Sequence, residues 1–228
     1  MTVCIYCIDN DIIKKLATFD LFDETISLFD ASNEQINILD TAKYKFQGDW
    51  NKVKQGGKLK NPGDKFVNYE RTIELTEKLP QIASIGILDT EFFEQLSTIE
   101  GIDQGEAILT SYMIQVLQKE EGSQACIFTG DKNFLRALAK VDLPIIQTNF
   151  SHRFWCLEQL IRKGIAHYGF EPTCIKIVPV LECDKAIKAV FGSGMESTPE
   201  NSLAALNSYI ENLRQETGNL LHPYPNQP

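Results

Sequence analysis

The sequence predicts an α/β fold: a three-layer domain built on a central, mainly parallel sheet, with a small helical appendage at the carboxyl end. Three observations predict it. Short apolar runs rich in β-branched and aromatic residues recur at residues 3–8, 82–88, 125–129 and 143–148. Each is followed by a segment with helical spacing, and strand–helix alternation of this kind builds parallel sheets. With 228 residues, 43% of them hydrophobic, the chain is long and apolar enough to bury a sizeable core.

The first run, VCIYCI, meets Asp9-Asn10-Asp11: Asn10 or Asp11 caps a helix over about 11–18, which sets Asp9 at the strand's carboxyl end. A second helix is expected over 21–30, carrying Leu21, Phe22, Ile26 and Phe29 on one face. Residues 34–46 read as a third, with Ile36, Leu39 and Ala42 inward and Asp40 beside them. Another helix over 69–79 leads to the strand IASIGIL, and Asp89 caps a helix over about 90–97. After Gly101 a long helix spans about 103–119, its buried stripe running from Ala107 to Leu117, with Asp103 and Glu106 on one face of its first turn.

The stretch ACIFTGDKNFLRALAK is a strand, a Thr-Gly-Asp turn and a helix, which sets Asp131 at a strand's carboxyl end. Open α/β sheets build their sites at that end. LPIIQT reads as the next strand, and a helix over about 153–163 follows. Beyond it, Pro179 interrupts IKIVPVL, a short helix covers 184–191, and Thr198-Pro199 opens a helix to about 217. The expected organisation is a domain over 1–165 and an appendage over 166–228, ending in a disordered HPYPNQP tail.

Bulk properties narrow the function. The amino terminus MTVCIYCIDND lacks a basic n-region, and no apolar run is long enough to span a bilayer, so a cytoplasmic protein is expected. Six cysteines are too few for a disulfide framework, and Cys4 and Cys7 lie in a strand that points them to opposite faces. A net charge of -9 argues against a general DNA binder. Residues 43–71 depart from that average. Lys43, Lys45, Lys52, Lys54, Lys58, Lys60, Lys65 and Arg71 face only Asp49, Asp64 and Glu70, with Tyr44, Phe46, Trp50, Phe66 and Tyr69 interleaved. Bases contact phosphates and aromatics stack on unpaired bases, while a solvated loop whose aromatics pack on the core would read the same.

Asp9, Asp40, Glu106 and Asp131 are each expected at one end of the sheet. Clustered carboxylates repel and raise one another's pKa, and a divalent cation relieves this. Their hard oxygens suit Mg²⁺ or Mn²⁺ rather than zinc. Such ions activate water and stabilise charge on a phosphodiester.

Here the chain resembles the PIN-domain nucleases over roughly residues 1–150. Ile8-Asp9-Asn10-Asp11 matches the end of their first strand, with Asp11 where they carry Asn. Gly105-Glu106-Ala107 matches their G-E-A motif at the start of a long apolar helix, and Thr129-Gly130-Asp131-Lys132-Asn133-Phe134 their T-x-D turn and Phe-containing helix. Asp40 matches an early helical acid by position alone. The resemblance implies a Mg²⁺- or Mn²⁺-dependent endoribonuclease acting on single-stranded or structured RNA. Asp9, Glu106 and Asp131 would hold the metal, Asp40 or Asp103 would complete the shell, and Asn10 and Thr129 would order ligands or water. Lys43, Lys45, Trp50, Lys52, Lys54, Lys58 and Lys60 would guide the nucleic acid. The carboxyl-terminal helix offers a face to a protein partner or a second copy. The rivals are a PIN-fold interaction module without catalysis and a haloacid-dehalogenase-like phosphatase, whose D-x-D is imitated by Asp9-Asn10-Asp11 but whose next residues are replaced by Ile12-Ile13.

Overall fold

Among the described residues, five parallel strands form one sheet in the order β3-β2-β1-β4-β5. The computed structural model describes residues 4–59, 61–88, 90–119 and 124–226. The first half runs β1 (Cys4–Ile8), α1 (Asn10–Thr18), α2 (Phe22–Ser27), β2 (Ile36–Leu39), α3 (Ala42–Lys54), α4 (Tyr69–Lys78), β3 (Gln81–Ile82), α5 (Ile85–Leu88), α6 (Glu91–Ser97) and α7 (Gln104–Lys119). The second half runs β4 (Gln124–Thr129), α8 (Lys132–Ala139), α9 (Pro144–Asn149), β5 (Phe154–Cys156), α10 (Leu157–Tyr168), α11 (Phe170–Ile177), α12 (Lys185–Val190) and α13 (Pro199–Thr217).

Register assigns the two faces. Cys7 pairs with Asn37 and Ile127, and this face meets α7, where Tyr112 donates its hydroxyl hydrogen to Asn37 at 3.2 Å. Tyr6, Phe128 and Trp155 turn the other way and surround Phe29, with ring centroids 4.9–5.4 Å from it. Both faces are therefore buried, as a parallel sheet requires. All six cysteines are free.

Three expected elements change identity. Ile36–Leu39 is a strand rather than part of a helix: all four residues are buried, which suits a central parallel strand better than a one-sided helix. Asp40 consequently follows a strand. The expected strand 82–88 shrinks to the edge pair Gln81–Ile82, and Ile85–Leu88 coils, leaving Ile85 82% exposed. LPIIQT is helical, because Pro144 suits a first helical turn and has no N–H for a ladder. The strand beside β4 is instead Phe154–Cys156, the expected start of the next helix. The cap assigned to Asp89 falls outside the described residues.

The carboxyl-terminal region is integrated with the sheet. The boundary after residue 165 falls inside the continuous helix α10, and Leu206, Ile210 and Leu213 of α13 join the same core as the strands. The expected disordered tail is packed over its described part. Residues 219–222 run parallel to β5, with His222 N–H donating to the Phe154 carbonyl at 2.8 Å and Phe154 N–H to that of Leu220 at 3.2 Å. His222 stacks on Trp155 at 4.0 Å, and the buried Gln159 amide donates to the His222 and Tyr224 carbonyls, both at 2.7 Å. Aromatic burial and a sheet edge in need of partners outweigh the local Pro-rich composition. No described helix is long and apolar enough to cross a membrane.

Candidate carboxylate site at the sheet's carboxyl edge

β1 and β4 are neighbours, and the chain leaves them towards opposite edges of the sheet. That reversal opens a crevice beyond their carboxyl ends. Asp9 leaves β1, Thr129-Gly130-Asp131 leaves β4, and Asp40 leaves β2 on the other side of β1. Three acids thus occupy the ends of three adjacent strands. The start of α7 lies close to this edge: a Cβ on Gly105 would stand 3.0 Å from the Leu39 side chain at the end of β2. Glycine there lets the helix carrying Glu106 approach the sheet.

Each acid has a local reason for its position. Asp9 caps α1, its carboxylate accepting the Ile12 N–H at 2.7 Å and the Gly130 N–H at 2.9 Å. Asp131 caps α8, one oxygen accepting the N–H groups of Asn133 at 2.8 Å and Phe134 at 3.0 Å. Asp103 and Glu106 form a reciprocal box at the start of α7: Asp103 N–H donates to Glu106 at 2.7 Å, and Glu106 N–H to Asp103 at 2.9 Å. Asp40 accepts the Ser84 hydroxyl at 2.7 Å and its N–H at 3.2 Å. Thr129 links the two strand ends, its hydroxyl oxygen accepting the Asp131 N–H at 3.1 Å while the hydroxyl hydrogen-bonds Asp9. The Asn10 side-chain oxygen is buried without a hydrogen-bond partner among the described residues.

The electrostatics tie the acids together. Burial, then the Asp11 charge, pushes Asp9 up to about 6 against the hydrogen bonds from Thr129, Ile12 and Gly130. Burial pushes Glu106 up to about 8, and the charges of Asp103, Asp131 and Asp9 add to it. Glu106 therefore feels Asp9, Asp103 and Asp131, but not Asp40. The arrangement is nonetheless loose: among the described residues, no three His, Cys, Asp or Glu side chains are grouped as a metal ion would need. The carboxylates point at backbone N–H groups rather than at one another. One oxygen each of Asp131 and Glu106 is free of hydrogen bonds among the described residues. The donor set is all oxygen, suited to Mg²⁺ or Mn²⁺.

The basic insert divides. Phe46 and Tyr69 are core residues, so neither is available to a ligand. Lys43 pairs with Glu77 at 2.7 Å and Lys52 with Asp49 at 3.0 Å. Trp50 is half-buried with the Lys54 ammonium 4.0 Å from its ring centroid. Lys45 and Lys58 are exposed, and Lys60 lies outside the described residues. A cleft of about 990 Å³ reaches Asp11, Gly130 and Asp131, and of the insert only residues 61–66 line it. The α3 lysines do not.

Sequence reasoning missed a charged network in that cleft. The buried Lys15 ammonium bridges Asp11 and Asp184, the latter at 2.6 Å. Burial opposes the Lys15 charge, but the two carboxylates outweigh it and hold the amine above its usual range. Burial likewise opposes the Asp184 charge, and Lys15 overcomes it, lowering the carboxyl's pKa. Lys14 pairs with the buried Asp64 at 2.9 Å, and Lys132 pairs with the buried Glu158. Local helix patterning carries no information on partners such as Asp64 and Asp184, which lie far from Lys14 and Lys15 in sequence. No family model, curated protein or solved structure matches this chain, so the motif resemblance rests on the residues themselves.

Proposed function

We propose that the protein is a Mg²⁺- or Mn²⁺-dependent endoribonuclease of PIN type. The observation that carries this reading is positional. Asp9, Asp40 and Asp131 follow the adjacent strands β1, β2 and β4 at one edge of the sheet, and Gly105 lets the helix that carries Glu106 approach the end of β2. Asp9, Glu106 and Asp131 would hold the metal, with Asp103 or Asp40 completing its shell. The metal, when bound, would supply an activated water and charge stabilisation at the phosphodiester. The chain's own part is positioning. Gly130 N–H and the Thr129 hydroxyl hold Asp9, backbone N–H groups hold Asp131, and the orphan Asn10 oxygen offers an acceptor for a water.

Asp131→Asn tests the reading. Asparagine caps helices about as well as aspartate, so α8 keeps its start while the charge is lost. The expected result is an unchanged melting temperature and loss of Mn²⁺-dependent RNA cleavage. Cleavage at the wild-type rate would remove Asp131 from the site.

A second reading has its own support. Asp9, Asp103, Glu106 and Asp131 already accept backbone N–H groups at helix starts, and Asp40 is bound to the distant Ser84, which fits a catalytically inactive module of the same fold. Calorimetry with Mn²⁺ separates the two, since the module has no saturable site. The phosphatase reading requires a covalent aspartyl-phosphate on Asp9, which mass spectrometry after exposure to a phosphate ester would detect.

A further inference from the structure

The turn 61–66 and the carboxyl-terminal segment 182–188 are one continuous rim. A Cβ on Gly63 would stand 2.5 Å from the Glu182 carbonyl oxygen and 3.2 Å from the Cys183 Cα, so glycine permits direct backbone contact. This rim lines the cleft that ends at Gly130 and Asp131. Within it the cations fall into two sets. Lys14, Lys15, Lys132, Arg136 and Lys188 are each matched by a carboxylate. Lys65 and Lys185 are exposed and make no ion pair among the described residues. Beside them Phe66 keeps 38% of its surface exposed, with the Lys65 ammonium 4.8 Å from its ring centroid.

We infer that this rim grips the substrate strand: Lys65 and Lys185 contact backbone phosphates, and Phe66 stacks on an adjacent unpaired base. The inference rests on the ribonuclease reading and extends it to a segment beyond the residues that carry the motifs. An aromatic face next to unmatched cations is what an unpaired nucleotide requires, one group for the base and one for the phosphate. An acidic peptide would use the lysines but not the ring. A duplex, its bases already stacked, would also leave the ring unused.

The test is fluorescence anisotropy of a labelled single-stranded oligouridylate with the full chain in EDTA, where cleavage is silent. Phe66→Ala is expected to weaken binding roughly tenfold. Lys65→Gln and Lys185→Gln should each lower the slope of log affinity against log salt by roughly 0.7. Lys140→Gln, an exposed lysine outside the cleft, should change neither. Wild-type affinity and slope in the rim variants would overturn the inference. So would equal displacement by polyglutamate, equal binding of duplex RNA, or no binding by the wild type. The ribonuclease reading fails separately, when the rim binds RNA as expected yet Asp131→Asn leaves cleavage intact.

Discussion

The Asp9 carboxylate accepts the backbone N–H of Gly130 at 2.9 Å, joining the ends of the two central strands across the crevice. This bond brings the β4 turn close to α1. A side chain at position 130 would overlap the Asp11 carboxylate, which is already paired with Lys15. Gly130→Ala should therefore destabilise the fold by about 1–3 kcal/mol, the usual cost of overpacking. Urea denaturation measures it. Adding Asp11→Ala should recover part of the loss, because the overlapping group is gone; strict additivity of the two losses would place the strain elsewhere.

Glu106 sets a pH dependence with a defined sign. Its folded pKa of about 8 lies above the ordinary 4.5, so the folded state holds a proton that the unfolded state releases. Stability from this group is present at low pH and falls as pH rises from 4.5 towards 8. His222 acts in a separate window. Burial, with the charges of His152, Lys163 and Arg214, depresses it from 6.5 to about 4, so its contribution is lost as pH falls between those values. Between pH 6.5 and 8 the Cys4 thiol, lowered from 9.0 to about 7 chiefly by its hydrogen bond with Cys126, acts with the opposite sign, so Glu106 is read from the difference between two chains. The melting temperature should drop further across that interval in the wild type than in Glu106→Gln, which keeps the capping box. Added Mn²⁺ should reverse the wild-type drop under the nuclease reading and leave it unchanged under the module reading.

The strand-to-helix turns were the most legible part of the sequence, because there one residue does two jobs. Asp9 and Asp131 each stand between an apolar run and an amphipathic helix, which marks a strand's carboxyl end, and the fold puts both at the crevice; the cap of α1, expected from Asn10 or Asp11, comes from Asp9 itself. Asp40 reached the same edge by a different route. The spacing of Ile36, Leu39 and Ala42 satisfies a helix, and only the burial of Asn37 and Ile38 as well reveals a strand covered on both faces. Edge elements were the least legible. β3 and β5 have two and three residues, too short for periodicity to register. The tail looked disordered because its composition is local information, whereas its partners Trp155 and Gln159 are distant in sequence.

That tail supplies the third prediction. Deleting residues 219–228 uncovers the β5 edge and strips the buried Gln159 amide of both acceptors. An unsatisfied buried donor alone costs about 1–3 kcal/mol, and exposure of Trp155 adds to it. The truncated chain should melt well below the full one and associate through its open edge, visible as a concentration-dependent shift in sedimentation. A monomeric truncation of unchanged stability would mean that the parallel pairing contributes nothing.

The last prediction concerns Lys15, whose ammonium joins α1 to the segment ahead of α12 through Asp11 and Asp184. Both Lys15 and Asp184 have little side-chain exposure, at 11% and 12%, so water cannot replace either partner cheaply. Lys15→Met keeps the length of the side chain and removes its charge. It leaves Asp184 buried and uncompensated, at a cost of about 3 kcal/mol. Asp184→Asn in the same chain should recover much of that loss, because the orphaned charge disappears while the amide still caps α12 through the Ile187 N–H. A simple packing role would give the opposite pattern: Lys15→Met would be mild, and the second substitution would add its own cost. Urea midpoints for the two single variants and the double variant decide between them. The same set measures how firmly the carboxyl-terminal rim is held over the crevice, since Asp184 is its closest charged tie to α1.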